Sequence, residues 1–351
     1  MVTMTARPTI YDVAREAGVS ASTVSRAYAR PGRVNSETAR QVFLAADRLG
    51  YRWDHLRGQP HGERATHGAI GLVIADVTNP FYGNIIKGAY EAAREAGLQL
   101  VLSHTNESPE VERETIEQEL SHVDGVIIAS SRMTDSALRM MAKQKPLVLL
   151  NRIIPEVTCV VSDHRRGIRR ATEYLRNLGH ERIHYVAGPE TSWSDGVRWR
   201  ALREAGAELA VDVRRVGPNE PTLLAGIGAA RQVLRNDATA VLAFNDQVAI
   251  GVMKGLSKLG VTVPDDVSVV GIDNIIFDEL VEPTLTTIAV PLYRMGFTGV
   301  QNCIAVGHGA RPSGTPLVLP VRLVVRQSAG QRRRKRTSPA RGTTKVSRSA
   351  S

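Results

Sequence analysis

Apolar and polar positions follow two different patterns along the chain, and the pattern changes near residue 68. Between residues 9 and 50, apolar residues recur every three or four positions in three short segments, which is the spacing of amphipathic helices. From residue 69 onward, short apolar runs alternate with longer segments of helical spacing. This alternation is typical of parallel β-sheets covered by helices on both faces. The pattern predicts an all-α N-terminal head followed by an α/β core.

The head has the capping and turn residues of a helix-turn-helix. Thr9 can cap a first helix, and Gly18 stands where the chain must leave that helix in a left-handed conformation. Ser20 can cap a second helix and Ser36 a third. Two short helices joined through a glycine turn, with a third helix to complete a small core, are an arrangement that binds DNA in many proteins.

The outward face of the second predicted helix also indicates DNA binding. Its small residues permit a close approach to base pairs, and Arg26 can donate two parallel hydrogen bonds to a guanine. Thr23 and Ser25 can hold phosphates, which fixes the register without reading sequence. The alternative is an ordinary helical hairpin with an incidental arginine. The predicted DNA-binding residues are Thr9, Ser20, Ala21, Ser22, Thr23, Ser25, Arg26, Arg33 and Leu56.

The core is predicted to form two similar lobes, because its strand–helix alternation occurs in two successive series. The predicted strands are 69–75, 98–102, 125–129 and 146–150 in the first series, and 182–187, 211–216, 240–244 and 267–272 in the second. The predicted helices are 82–96, 109–121, 134–144, 165–178, 195–206, 222–235, 247–259 and 291–307. The chain after residue 284 is long enough to cross back between the lobes.

Polar and aromatic residues follow the predicted strands, where ligands bind in open parallel sheets. Such side chains hydrogen-bond vicinal hydroxyls while a ring packs on the apolar face of a sugar. The predicted effector-binding residues are Asp76, Asn79, Phe81, Arg152, Asp163, Ser192, Trp193, Ser194, Arg198, Asn245 and Asp273. Further polar strand-end residues are Ser130, Ser131, Asn151, Asp246 and Asn274. Each of them alone is equally an ordinary turn residue or helix cap, so the prediction depends on their repetition.

The formal net charge of +10 is concentrated at the two ends of the chain. Residues 331–351 contain eight Lys or Arg and no acidic residue, and residues 1–67 contain ten Arg against six acidic residues. The middle is therefore close to neutral, and this distribution favours polyanion binding by the ends. The composition of residues 331–351 predicts disorder. This tail either adds salt-sensitive affinity for DNA or is a solubilising end with no further role.

Several classes of protein and site are disfavoured. No apolar run reaches the roughly 18 residues that a membrane span needs, and residues 1–10 lack an apolar signal segment, so we expect a cytoplasmic protein at the nucleoid. Cys159 and Cys303 are expected to be reduced core residues rather than a disulfide or metal pair. His55, His61 and His67 are read as linker residues rather than as a metal cluster. We expect no metal and no cofactor.

Five stretches of this sequence resemble the LacI/GalR family of bacterial transcriptional regulators. They are TIYDVAREAGVSASTVSRA, GLVIADVTNPFYGNIIKGAYEAAREAG, FNDQVAIGVMKGL, VPDDVSVVGIDN and EPTLTTIAVP, and the likeness extends over residues 9–328. The resemblance implies a homodimer that binds a pseudo-palindromic operator in double-stranded DNA. It also implies a core like the periplasmic binding proteins, controlled by a small molecule that is usually a sugar.

The resemblance also implies roles for particular residues. Ala21, Ser22 and Arg26 occupy the base-reading positions. The positions that line the family's effector cleft are those of Phe81, Arg152, Ser194, Arg198, Asn245 and Asp273. The chain is expected to cross between the lobes near residues 161–163, 289–291 and 320–323. Closure around an effector would then rotate one lobe against the other and alter the spacing of the two heads of a dimer.

We predict four segments. They are a head over 1–50, a linker over 51–67, a two-lobed core over 68–328 and a basic tail over 329–351. The N-lobe comprises about 68–161 and 291–320, and the C-lobe about 162–290 and 321–328. The linker departs from the family's short hinge helix, because Trp53 and Asp54 replace Pro and Asn, and Gly58 and Pro60 disfavour helix. Leu56 or Pro60 remains an apolar candidate for a wedge in the minor groove.

Two other functional classes fit parts of the sequence. A sugar-binding transport protein would account for the two lobes, but not for the head or for the lack of a signal segment. A doubly wound enzyme would need a phosphate-binding glycine motif, and residues 225–231, AGIGAAR, lack the third glycine. No nucleophile, base and orienting group stand together, so we expect no enzyme. Trp193 and Phe81 favour a ring-shaped, hydroxylated effector, with a purine-like one left open, and we expect it to release DNA.

Overall fold

The structure is a computed structural model that describes residues 9–29, 36–49, 67–119, 121–235, 237–310 and 314–332. The chain divides into two compact units between Ala65 and Thr66. Arg33, the linker residues around Leu56 and the basic tail after residue 332 lie outside the described residues, and so do the predictions made for them. No helix within the described ranges is long and apolar enough to cross a membrane.

The head is a three-helix unit, as predicted. Its helices are α1 (Ile10–Glu16), α2 (Ala21–Ala29) and α3 (Ser36–Leu49). Gly18 has φ +65° in the turn between the first two helices, a conformation that favours glycine. The Ser20 hydroxyl accepts a hydrogen bond from the backbone N–H of Thr23 at 3.2 Å, which caps α2. The small core consists of Val13, Ala14, Val24, Ala27, Val42, Ala45 and Ala46.

The core contains twelve strands and eight α-helices within the described residues. The strands are β1 (Ala69–Ile74), β2 (Gln99–His104), β3 (Gly125–Ala129), β4 (Leu147–Leu150), β5 (Thr158–Ser162), β6 (Arg182–Val186), β7 (Asp212–Val216), β8 (Ala240–Ala243), β9 (Ser268–Asp273), β10 (Thr286–Ala289), β11 (Leu317–Leu319) and β12 (Arg322–Val324). The helices are α4 (Phe81–Glu95), α5 (Pro109–Glu119), α6 (Asp135–Gln144), α7 (His164–Asn177), α8 (Trp193–Leu209), α9 (Leu223–Arg235), α10 (Asp246–Lys258) and α11 (Leu292–Gly307).

These strands form two six-stranded sheets, one in each lobe. The N-lobe sheet has the order β11-β5-β4-β3-β1-β2, and all of its pairs are parallel. The C-lobe sheet has the order β12-β10-β9-β8-β6-β7, and only β12 is antiparallel to its neighbour. The chain passes between the sheets after β5, after β10 and after β11. The predicted two-lobed fold with three crossovers is therefore confirmed.

The eight strands predicted in two series are all present, with ends that differ by at most two residues. β5 was not among them. Only residues 151–157, with no helix among them, separate it from β4, so strand–helix alternation does not predict a strand at this place. Cys159 on β5 and Cys303 on α11 are buried free thiols, as expected.

Helices α4 and α11 of the N-lobe pack unusually closely, because glycine stands at their crossing. A Cβ added at Gly296 would lie 2.0 Å from the backbone oxygen of Ile85, and one added at Gly88 would lie 2.0 Å from that of Tyr293. Backbone oxygens cannot move aside as a flexible side chain can, so each glycine sets the distance between the helices.

We predict that Gly296→Ala destabilises the core by about 3 kcal/mol, because overpacking forces the two helices apart. Urea unfolding followed by circular dichroism measures the change. Gly83→Ala on α4 is the matched control, since no heavy atom lies within 4 Å of its added Cβ. The control should keep or slightly raise stability, because alanine favours helix over glycine by about 1 kcal/mol. Equal stability of the two variants would refute the packing argument.

Candidate functional site

A cleft lies between the two lobes, beyond the carboxyl ends of the strands of both sheets. We refer to it as the interlobe cleft. The residues that line it are Asn79, Phe81, Tyr82, Glu107, Ser130, Arg132, Asn151, Ser192, Ser194, Arg198, Pro221, Phe244, Asn245 and Asp273. Both lobes therefore contribute a wall, and a ligand held between the walls would join the lobes.

Arg198 is the central side chain of the C-lobe wall. It lies on α8, which begins at a cap where the Ser192 hydroxyl accepts a hydrogen bond from the N–H of Asp195. Its guanidinium donates to the backbone oxygen of Phe244 and lies over the ring of Phe244, 4.8 Å from the centroid. Only 2% of Arg198 is exposed. Stacking and hydrogen bonding together hold the guanidinium in one orientation.

Asp273, at the end of β9, lies beside Arg198 on the same C-lobe wall. Its Oδ1 lies 3.6 Å from Nη2 of the arginine, too far for a good hydrogen bond. Arg198 Nε and Asp273 Oδ1 are both buried without a hydrogen-bond partner among the described residues. Because an unpaired buried polar atom is costly, this arrangement favours a ligand that supplies a donor and an acceptor.

Three buried carboxyls share the region behind the cleft. Burial raises the pKa of Asp273 well above its usual range, although Arg198 lowers it and Asp246 raises it further. Asp246 accepts hydrogen bonds from the Thr287 hydroxyl at 2.7 Å and from the N–H of Asn274 at 2.6 Å. Burial, and then the charge of Asp246, raise the pKa of Asp278 to about 10.

The N-lobe wall combines an aromatic pair with an ion pair. Phe81 and Tyr82 begin α4 and pack edge to face, with ring centroids 4.9 Å apart. The Asn79 carboxamide accepts from the N–H of Phe81 at 3.0 Å and fixes the start of that helix. Beside them, Arg132 pairs with Glu107 at 2.5 Å. This wall offers a ring face together with groups that donate and accept hydrogen bonds.

Asn151 connects the two lobes at the floor of the cleft. Its Nδ2 donates to the Ser130 hydroxyl at 3.1 Å, within the N-lobe. Its Oδ1 lies 3.1 Å from Nε2 of His164, and its backbone oxygen accepts from the Ser194 hydroxyl at 3.2 Å; both partners belong to C-lobe helices. Burial lowers the pKa of His164 well below its usual range, so this ring is neutral and donates from Nε2 to the carboxamide.

Backbone strain accumulates at the strand ends that line the cleft. Ser130 has φ +61°, Asn151 has φ +62° and Asp273 has φ +132°, a region that L-residues rarely occupy. Glu107 also has a positive φ, of +62°. Residues held in such conformations cluster at functional sites, where the surrounding structure maintains them.

Seven of the predicted effector-binding residues line the cleft, and four do not. The seven are Asn79, Phe81, Ser192, Ser194, Arg198, Asn245 and Asp273. Of the others, Asp76 bonds to Thr78, and Asp163 caps α7 by accepting from the N–H of Arg166. Trp193 begins α8 without contributing to the lining.

Arg152 lies immediately after Asn151, but its side chain turns into the N-lobe. Its guanidinium donates to the backbone oxygens of Ser131 and Met133 and pairs with Asp135 at 2.5 Å. It thereby ties the loop after β3 to the start of α6. These partners give Arg152 a structural position at the strand end, outside the lining.

The lining also contains residues that were not predicted: Tyr82, Glu107, Arg132, Pro221 and Phe244. Glu107 follows the end of β2 by three residues, and Arg132 follows the end of β3 by three. The strand-end rule applied to β2 would have found Glu107. Phe244 contributes its backbone oxygen and ring to Arg198, and neither role is visible in a search for polar side chains.

In the head, α2 presents the small outward face that the sequence predicts. Val24 and Ala27 are fully buried on its inner side, whereas Ser22 and Arg26 are exposed. Arg26 Nε donates to the backbone oxygen of Ser22 at 3.2 Å, so the arginine is held against its own helix. The Ser20 hydroxyl lies 2.8 Å from that of Thr23. In α1, the Thr9 hydroxyl donates to the carboxylate of Asp12 at 2.6 Å.

Two family models match the chain. Residues 9–54 match the bacterial regulatory proteins of the lacI family, and residues 172–329 match the periplasmic binding protein-like domain. The first match covers the three-helix head and the second covers most of the C-lobe. Together they join a helix-turn-helix head to a core like the periplasmic binding proteins in one chain.

Curated and solved proteins give the same result over nearly the full length. The HTH-type transcriptional regulator DegA of Bacillus subtilis (strain 168) is 33% identical over 332 residues, which is 92% of this chain and 98% of DegA. The transcriptional regulator CelR in complex with cellobiose has a TM-score of 0.69 at 29% identity, covering 92% of this chain and all of CelR. A lac repressor dimer bound to operator and the anti-inducer ONPF has a TM-score of 0.67 at 26% identity, covering 93% and 100%.

Proposed function

The chain belongs to the lacI family of bacterial regulatory proteins, and from this premise we propose how its cleft and its head work together. It is a DNA-binding transcriptional regulator and not an enzyme. We propose that its homodimer represses transcription from a two-fold symmetric operator until a sugar enters the interlobe cleft. The sugar then releases the protein from DNA. A regulator of this kind acts in the cytoplasm, at the nucleoid.

The observation that carries the effector proposal is the pair formed by Arg198 and Asp273. Both groups are buried, lie beside each other in the cleft and keep one polar atom each without a hydrogen-bond partner among the residues that the structure describes. A sugar hydroxyl donates one hydrogen bond and accepts others, so vicinal hydroxyls would satisfy both groups at once. CelR carries cellobiose in its solved complex, which supports a sugar as the class of effector.

We propose that Asn151 transmits effector binding to both lobes. Its bonds to Ser130, His164 and Ser194 join both lobes at the floor of the cleft, so a bound sugar would alter the closure of one lobe on the other. In a dimer, rotation of one lobe would alter the spacing of the two DNA-binding heads and hence the fit to two half-sites.

For the head, we propose that Ala21, Ser22 and Arg26 read base edges in the major groove. Thr9, Ser20, Thr23 and Ser25 would hold phosphates and fix the register. The exposure of Ser22 and Arg26, opposite buried Val24 and Ala27, supports this assignment. We also propose the division into a head over 1–50, a linker over 51–67, a core over 68–328 and a basic tail.

The test is selection of bound sequences from a random DNA library by the intact, untagged protein, repeated with pooled sugars. A two-fold symmetric site that is lost when sugars are added supports the proposal. A site that is bound only with sugar would reverse the direction of control. No enriched site under either condition would refute operator binding by this chain.

A further inference from the structure

A second arginine–carboxylate pair lies in the interlobe cleft, on the wall opposite Arg198. Glu107, after β2, and Arg132, after β3, both belong to the N-lobe and both line the cleft. Arg132 Nη2 lies 2.5 Å and Nε 2.7 Å from the same oxygen, Oε2 of Glu107. The cleft is therefore bordered by one such pair on each side.

The Glu107–Arg132 pair is fixed by its surroundings. Arg132 Nη1 donates to the backbone oxygen of Ser130 at 3.0 Å, and the N–H of Arg132 donates to buried Glu112 at 2.8 Å. The Arg132 side chain is 5% exposed and that of Glu107 is 24% exposed. The positive φ of Glu107 places its carboxylate in this position at the cost of backbone strain. A buried ion pair contributes little net stability to a fold, because the cost of desolvating both charges offsets their attraction.

The chemistry of the pair restricts the ligand. A guanidinium offers only donors and a carboxylate offers only acceptors, so side by side they match a hydroxyl group that accepts from one and donates to the other. Tyr82 adds a further group at the same wall, where burial and then the charge of Glu107 raise its pKa and keep its hydroxyl protonated. The charge of Arg132 is already neutralised by Glu107. An anionic substituent at this wall would be repelled by the Glu107 carboxylate. Arg132 could not offset that repulsion, because its charge is already paired with Glu107.

We infer that the Glu107–Arg132 pair selects uncharged, polyhydroxylated effectors and rejects the corresponding sugar acids and sugar phosphates. The inference rests on the proposed sugar effector and specifies its chemical class. The N-lobe pair binds hydroxyls at one edge of the ligand, and Arg198 with Asp273 binds those at the opposite edge. Glu107 is then the residue that determines discrimination by charge.

The test is isothermal titration calorimetry of the full chain with matched neutral and anionic probes. The probes are D-glucose and D-glucuronate, D-galactose and D-galacturonate, and D-ribose and ribose 5-phosphate. For the sugar that binds, we expect the neutral member to bind at least about tenfold more tightly than its anionic partner. Glu107→Gln should remove that preference and weaken the neutral sugar at least about tenfold, because it abolishes the charge while keeping the shape of the side chain.

Two further variants make the result specific. Glu107→Asp keeps the charge but shortens the side chain, so it should lose affinity and retain the preference for the neutral member. Glu114→Gln on α5 removes an exposed carboxylate outside the cleft lining and should change neither quantity. Tighter binding of an anionic member, or wild-type selectivity in Glu107→Gln, overturns this inference and leaves a sugar effector standing. Binding of no probe overturns the sugar effector and this inference together.

Discussion

Arg198→Met is expected to make the regulator insensitive to its effector while leaving operator binding intact. The substitution removes the stacked guanidinium that faces Asp273 and deletes every hydrogen bond that it would donate to a ligand. Hydrogen bonds to charged groups contribute about 1.5 to 3 kcal/mol each, and more than one is lost, so the effector dissociation constant should rise at least about 100-fold. Calorimetry measures this affinity, and operator release is measured by fluorescence anisotropy.

Two companion variants define the cause. Arg198→Lys keeps the charge but not the planar fork, so it should recover only a small part of the affinity. Arg200 lies two residues further along the same helix and is exposed, so Arg200→Met should behave as the wild type. Because burial raises the pKa of Asp273, its carboxyl can take up a proton when the arginine is absent, and we expect the core to remain folded. An Arg198→Met variant that still responds to effector at wild-type concentrations would contradict the assigned role.

Arg26→Ala is expected to weaken discrimination between the operator and other DNA. A bidentate arginine–guanine pair contributes about 1 to 3 kcal/mol of discrimination, and a symmetric dimer would lose two of them. Operator affinity should therefore fall at least about 30-fold, with a small change in affinity for random DNA. Anisotropy titrations with both DNAs at one salt concentration provide the comparison.

Arg15→Ala is the matched control for that experiment. Arg15 lies on α1, is exposed and pairs only weakly with Asp12 at 3.4 Å. Its removal takes the same charge from the head, so the general attraction to phosphates falls equally in the two variants. If both variants lost operator affinity to the same extent, Arg26 would act as a general cation and not as a reader of bases.

The fold was predictable from the sequence because its signals are local and repeated. Apolar runs such as 69–75 and 125–129 bury every residue of β1 and β3, and helical spacing between them leaves few alternatives. The two-series pattern then implies two lobes. β5 was missed because no helix separates it from β4, so it does not fit the strand–helix alternation, and its place in the sheet is decided by pairing with β4 and β11.

The cleft was harder to predict than the fold, because the strand-end rule places a backbone and not a side chain. Asn151 and Arg152 are adjacent after β4, yet Asn151 lies on the floor of the cleft while Arg152 bonds to Met133 and Asp135. The direction of each side chain depends on the left-handed backbone of Asn151 and on partners from other segments. The sequence near residue 151 does not specify these partners. The directions of the Asn151 and Arg152 side chains can therefore be told apart only in the folded structure.

The left-handed residues at the strand ends have a consequence for laboratory evolution. Asp273 holds a conformation that costs about 1 to 3 kcal/mol, and its Oδ1 has no hydrogen-bond partner among the described residues, so glycine at this position would relieve strain. Selection for heat resistance alone should therefore favour glycine at position 273 and, with it, the loss of the carboxyl beside Arg198, whereas the hydrogen bond between Asn151 and Ser130 should keep those two side chains. A variant selected only for thermal stability would remain folded and bound to its operator, but it would no longer respond to the effector.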